Sequence, residues 1–232
     1  YPISSSLLKQ NQEDVEYEVQ WRLKQSRFIC IEVHKKDSLE ISRREILPQD
    51  SSPEVQKELK EKVTQAWLEK LERENLSRLY ENEETLKWLT KMKLSTKYFP
   101  EYSLPQWNEE DFLLIKEELV HGIFLERDIN PESYLNILKD YFGKEMIPWL
   151  SKTFPDYYVF ENGKRAKYLY YNDDLVEISA RIDDFIGLQG KHFLADGKIP
   201  VRYDILAPNY RTVQKTWDLT GFWEKTDRKS VV

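Results

Sequence analysis

Apolar residues alternate with polar ones at Val15, Tyr17, Val19, Trp21 and Leu23, and a second apolar run holds Phe28, Ile29, Ile31 and Val33. Period two in β-branched and aromatic residues predicts strands, because successive side chains of an extended chain point to opposite faces. A third run holds Leu39, Ile41, Ile46 and Leu47. Three such strands make an incomplete sheet with exposed edges. The period then lengthens. Ser52 can accept a free backbone N–H, and Pro53 suits a first helical turn. Val55, Leu59, Val63, Ala66, Trp67 and Leu71 come next at helical spacing. A second helix after Asn82 carries Leu86, Leu89 and Leu94. A third is capped by Asn108 and ended by Gly122, and a fourth opens at Asn130-Pro131 with Tyr134, Leu135, Leu138, Tyr141 and Phe142. Pro148 lies inside or just past it, and Pro155 ends the helical block.

From Tyr157 the pattern returns to β. Segments 157–160 and 166–171 flank Asn162-Gly163, a strong hairpin signal. A short strand over 175–179, a helical turn over 180–187, a strand over 201–206 and another from Val213 lead into Leu219, Phe222 and Trp223. The predicted fold class is α+β. A β region covers 1–50, a block of about four helices 51–155, and a small mixed α/β domain 156–232.

Charge changes this picture more than overall composition does. The net charge is −6, but residues 1–150 hold 22 Lys/Arg against 29 Asp/Glu, and residues 151–232 hold 13 against 12. A polyanion would be repelled by the first part and tolerated by the second. The single Cys30 forms no internal disulfide and fits a reducing, cytoplasmic setting. No apolar run is long enough to span a membrane as a helix. The Tyr1-Pro2-Ile3 start reads as a cut from a longer chain, with residues 1–14 polar and loose.

Chemistry-bearing constellations are sparse. The chain has 7 Gly and no G-x-x-x-x-G-K-[ST] phosphate loop. His34, His121 and His192 have no metal-ligand spacing. Asp173, Asp174, Glu177, Asp183 and Asp184 suggest an acid/base pair at first sight, but they sit where turns and solvated short helices place aspartate. No catalytic residue, metal or cofactor is expected. The best binding candidate is the basic-aromatic run 164–171. Lys164, Arg165 and Lys167 offer charge for phosphate and Tyr168 a ring for a base, the combination used in sequence-tolerant single-strand binding. As a strand, it would put Lys167, Leu169 and Tyr171 on one face and Ala166, Tyr168 and Tyr170 on the other. Lys198, Arg202, Arg211 and Lys215 extend the patch.

The C-terminal segment carries a resemblance. Gly197-Lys198-Ile199-Pro200-Val201, Asp204-Ile205-Leu206-Ala207-Pro208 and Thr216-Trp217-Asp218-Leu219-Thr220-Gly221-Phe222-Trp223 resemble the closing motif of HrpB-type bacterial DEAH-box ATP-dependent helicases. Tyr98-Phe99-Pro100-Glu101-Tyr102 is similar to that family's L-P-E-Y segment. The resemblance spans roughly 15–226. It implies that 1–50 is the end of an OB-like β-barrel whose other strands lie upstream, and that Arg43 and Arg44 could face RNA there. It also implies a non-catalytic accessory region. Its partners would be the upstream motor domains, which hold ATP and Mg, and weakly bound single-stranded RNA. A protein-docking module without nucleic-acid binding is the other reading. Trp217, Phe222 and Trp223 are expected in the core as a clasp, with Asp218 capping the last helix. The family's basic tail has no counterpart in 226–232, so no tail contact with RNA is expected.

Overall fold

The computed structural model describes residues 14–36, 38–171 and 174–229, with side chains to Lys225. The chain divides into two compact units. One runs to Asn82 and includes Asn108–Ile137; the other holds Glu83–Trp107 and Leu138 onward. The helices of 51–155 are therefore shared between the units.

In the first unit, β1 (Asp14–Arg22), β2 (Arg27–Lys36) and β3 (Leu39–Ile46) form an antiparallel meander with β2 central. On β1 burial alternates only from Val19 to Arg22; Val15 is exposed, and Leu23 falls in the turn after the strand, also exposed. On β2 both faces are buried, from Phe28 to Val33. One face packs Phe28 against Trp21 and Trp67 edge to face, with centroids 5.1 and 5.1 Å apart. On the other, Ile29, Ile31 and Val33 form a buried stripe. Register places Gln20, Glu18 and Glu16 of β1 beside it, and Glu45 and Arg43 of β3. Ion pairs Arg22–Glu45 and Arg43–Glu18 cross it from β1 to β3, and Lys35–Glu16 joins β2 to β1 at its end. Leu39 and Ile41 of β3 are exposed.

Helix α1 (Pro53–Glu74) starts as its sequence dictates, with Ser52 Oγ accepting from the Val55 N–H. Leu59, Val63, Trp67 and Leu71 recur every four residues and are buried. Trp67 Nε1 donates to Ile123 O at 2.6 Å. Asn75, at φ 49°, ends the helix in the left-handed region. Helix α2 (Glu83–Tyr98) belongs to the second unit. Its inward row is Thr85, Leu89 and Met92, so Leu86, expected inside, falls out of phase and is exposed. Helix α3 (Glu109–Val120) carries a capping box between Asn108 and Asp111. Helix α4 (Pro131–Phe142) stops before Gly143, and Pro148 lies in the first turn of a separate helix, α5 (Ile147–Thr153).

The second unit is built on a six-stranded sheet of β4 (Tyr157–Val159), β5 (Arg165–Tyr170), β6 (Val176–Arg181), β7 (His192–Leu194), β8 (Ile199–Leu206) and β9 (Thr212–Thr216). Strands β6 and β8 are parallel; every other pair is antiparallel. The first hairpin has a three-residue loop in which Gly163, at φ 79°, takes the left-handed position. One sheet face is core. Tyr168, Ile178 and Tyr203 line up across three strands, as do Tyr170, Val176 and Val201. All but the part-buried Tyr170 are buried. Phe185 packs edge-on against Tyr203 at 5.5 Å. Leu219 and Phe222 of α6 (Leu219–Lys229) are also buried.

Candidate nucleic-acid interface

The pairing that builds the core face also fixes the opposite face. Leu169, Glu177 and Arg202 form one cross-strand row, and Ser179, Asp204 and Lys215 the next. Glu177 is 1% exposed. It accepts from Arg202 Nε at 2.7 Å and from Lys215 Nζ at 3.0 Å on both oxygens. Tyr171 Oη reaches it at 3.4 Å. A carboxylate this buried survives because two cations and a hydroxyl replace its water. Ser179 Oγ donates to Asp204 Oδ2 at 3.1 Å, while Asp204 Oδ1 is buried with no donor. Arg202 also lies over the Trp217 ring, 5.9 Å from its centroid.

The sequence-predicted basic patch is only partly assembled. Arg165 and Lys167 are exposed on this face of β5 and have no ion pair among the described residues. Arg202 and Lys215 join them, tied to Glu177. Lys164 is paired with Asp184. Lys198 is held by Tyr98 O at 2.8 Å and Glu101 at 3.3 Å, over the Phe99 ring. Arg211 is exposed in the turn before β9. Tyr168 does not belong to a binding face: it is buried, with its hydroxyl 2.7 Å from His192 Nε2. Burial pushes that phenol well above its usual range and pulls His192 below the usual histidine value. Strand parity sends Tyr168 inward with Ala166, because only the Lys167 face is left to solvent.

The closing motif divides the same way. Gly197, at φ 85°, takes the left-handed position in the turn before β8. Pro200 is an exposed residue of β8, and Pro208 lies in the exposed turn after it. Asp218 caps α6, its Oδ1 accepting from the Thr220 N–H at 3.0 Å. Leu219 and Phe222 are core. Trp223 is half-buried and donates Nε1–H to Leu188 O at 3.0 Å. Trp217 corrects the clasp expectation: it is 42% exposed. It shares parity with Lys215 on the solvent side, whereas Leu219 turns inward after the Asp218 cap.

The carboxylates singled out in sequence are spread over several pairs. Asp174 pairs with Lys97, and Asp184 with Lys164 and Arg181; Asp183 is exposed, and Asp173 lies outside the described residues. Among the described residues no three His, Cys, Asp or Glu side chains gather as metal ligands. Cys30 is buried, and burial raises its thiol to about 11. Arg43 is engaged by Glu18 and Glu40, and Arg44 by Glu32.

Comparison with known proteins bears on this arrangement. Residues 117–229 match the family described as ATP-dependent helicase C-terminal. Over 173 residues the chain is 25% identical to the ATP-dependent RNA helicase HrpB of Escherichia coli (strain K12), covering 73% of this chain and 21% of that protein. The chain thus spans about a fifth of the length of this curated relative. Two solved structures share the fold. The E. coli DExH-box NTPase HrpB has a TM-score of 0.67 at 21% identity, over 99% of this chain and 28% of that one. The E. coli DEAH/RHA helicase HrpB has a TM-score of 0.65 at 20% identity, over 94% and 27%.

Proposed function

We propose that the chain, whose residues 117–229 match the ATP-dependent helicase C-terminal family, is a non-catalytic accessory region of an HrpB-type ATP-dependent RNA helicase that helps engage RNA. The observation that carries the reading is the family match over 117–229, together with the 25% identity to an RNA helicase. ATP and Mg belong, on this reading, to motor domains elsewhere in the parent protein. The uneven charge is in keeping with it: the C-terminal third is the part that does not repel a polyanion.

The test compares the parent helicase with and without this region for RNA affinity and RNA-stimulated ATP hydrolysis. Loss of RNA affinity on deletion is expected. ATP turnover by the isolated chain, abolished by substitutions within it, would overturn the non-catalytic assignment. A second reading, docking onto the motor domains, draws on Leu113 and Leu114, both exposed on α3 in the acidic unit. Cross-linking that recovers motor domains, with no RNA binding at low salt, would favour it.

A further inference from the structure

The face of the six-stranded sheet opposite the core is unusual for the rings it leaves in water. Trp217 is 42% exposed, Tyr157 45% and Phe193 44%. Register puts Tyr157 opposite Lys167 and Phe193 opposite Pro200, two residues from Arg202. Directly opposite residues share a face, so these rings and cations lie on one surface. By register five cations, Arg165, Lys167, Arg181, Arg202 and Lys215, share this face with two carboxylates, Glu177 and Asp204; Arg181 is paired with Asp184. Both carboxylates are buried beneath the cations. The chain as a whole is acidic, at −6, so this local excess of positive charge runs against its composition.

Trp217 is not a loose ring. Buried Glu177 holds Arg202 by a 2.7 Å hydrogen bond, and the Arg202 guanidinium backs one side of the indole. The exposed remainder of the indole is left to water. A ring pinned on one side and open on the other has already lost the freedom that stacking would cost.

We propose that this face is a platform for single-stranded RNA. A base stacks on Trp217, Lys215 and Arg202 lie at its phosphates, and Arg165 and Lys167 guide the strand toward Tyr157. The inference rests on the accessory-region reading and deepens it by naming the surface. Recognition is sequence-tolerant, because every base has a π-face and no base-edge reader is built into the site.

The experiment is fluorescence anisotropy of a labelled oligouridylate with the whole chain, at two salt concentrations. Trp217→Ala is expected to weaken binding about tenfold, Trp217→Phe to retain most of it, and both to melt like the wild type. The Arg165→Ala/Lys167→Ala variant is expected to reduce the salt slope by roughly 0.7 for each cation removed. Lys198→Ala, whose ammonium is held by Tyr98 O and Glu101, is expected to bind as the wild type. RNA binding undiminished in both Trp217→Ala and Arg165→Ala/Lys167→Ala would overturn the platform while leaving RNA engagement standing. No binding by the wild type at low salt would overturn the platform too. If deletion of the region still lowered the parent's RNA affinity, the accessory reading would survive that result. Loss of cross-linking to the motor domains in Trp217→Ala, with RNA affinity intact, would mark the face as a protein dock instead.

Discussion

Removing one partner of the Lys91–Asp156 pair should have very different consequences from removing the other. Lys91 Nζ lies 2.7 Å from Asp156 Oδ1, and its side chain is 2% exposed. Asp156 is 47% exposed and is also held by Lys87 at 3.0 Å. In Asp156→Asn the ammonium stays buried without its counter-charge. Such a loss costs about 3 kcal/mol, a melting shift of roughly 6–12 °C for a chain of this size. In Lys91→Met the apolar stem keeps its packing, and the remaining carboxylate keeps Lys87 and water. The cation also sits 5.0 Å over the Tyr170 ring, a contact worth about 1 kcal/mol that relief of desolvation largely offsets. The expected cost is therefore within about 1 kcal/mol. The double variant should match Lys91→Met alone, a strongly non-additive result. Burial pulls the Lys91 amine below its usual value even with Asp156 beside it. Between the folded and unfolded values the unfolded chain binds more protons, so this group makes stability rise with pH on the alkaline side. For Asp156, burial works to raise the carboxyl, but hydrogen bonds from Lys91 and Lys87 outweigh it and hold it below the usual range. Its contribution is present above the unfolded value and lost as pH falls through the folded one. Urea unfolding of the three variants decides the matter. Equal costs for Asp156→Asn and Lys91→Met would refute the reasoning.

Three further outcomes are expected. Phe222→Ala should cost about 3–5 kcal/mol and Trp217→Ala within about 0.5 kcal/mol, since only the first ring is core; thermal melts compare them. Asn108→Ala should lose about 1 kcal/mol by removing the capping box of α3, read by urea unfolding. Cys30 should resist alkylation by iodoacetamide at pH 8 in the folded chain and react once it is unfolded, because its buried thiol is raised to about 11.

Much of the secondary structure was legible because its signals are local. Ser52-Pro53, Asn108 and Asn130-Pro131 each open a helix, and Asn162-Gly163 marks a hairpin, through backbone chemistry confined to a few residues. The α+β class came from the change of period. Burial on the sheet was less legible, since it depends on which neighbour lies across the strand. Trp217 and Phe222 look alike in sequence, yet strand parity and the Asp218 cap send one ring to water and the other to the core. The basic patch failed to stay whole for a similar reason. Lys164 and Lys198 are spent on Asp184 and Glu101, partners 20 and 97 residues away. The short β7 carried no alternation long enough to read.

The ion pairs crossing the Ile29, Ile31 and Val33 stripe make one surface of the first sheet depend on its medium. Exposed pairs of this kind are worth only about 0–1 kcal/mol each, and added electrolyte weakens them. In dilute buffer the long side chains of Glu18, Arg43, Arg22 and Glu45 act as a thin second layer over the central strand. In concentrated salt that layer loosens, and water gains access to an apolar stripe that the strand pairing alone does not cover. The cover over the Ile29, Ile31 and Val33 stripe is thus electrostatic, and it weakens with the ionic strength around it.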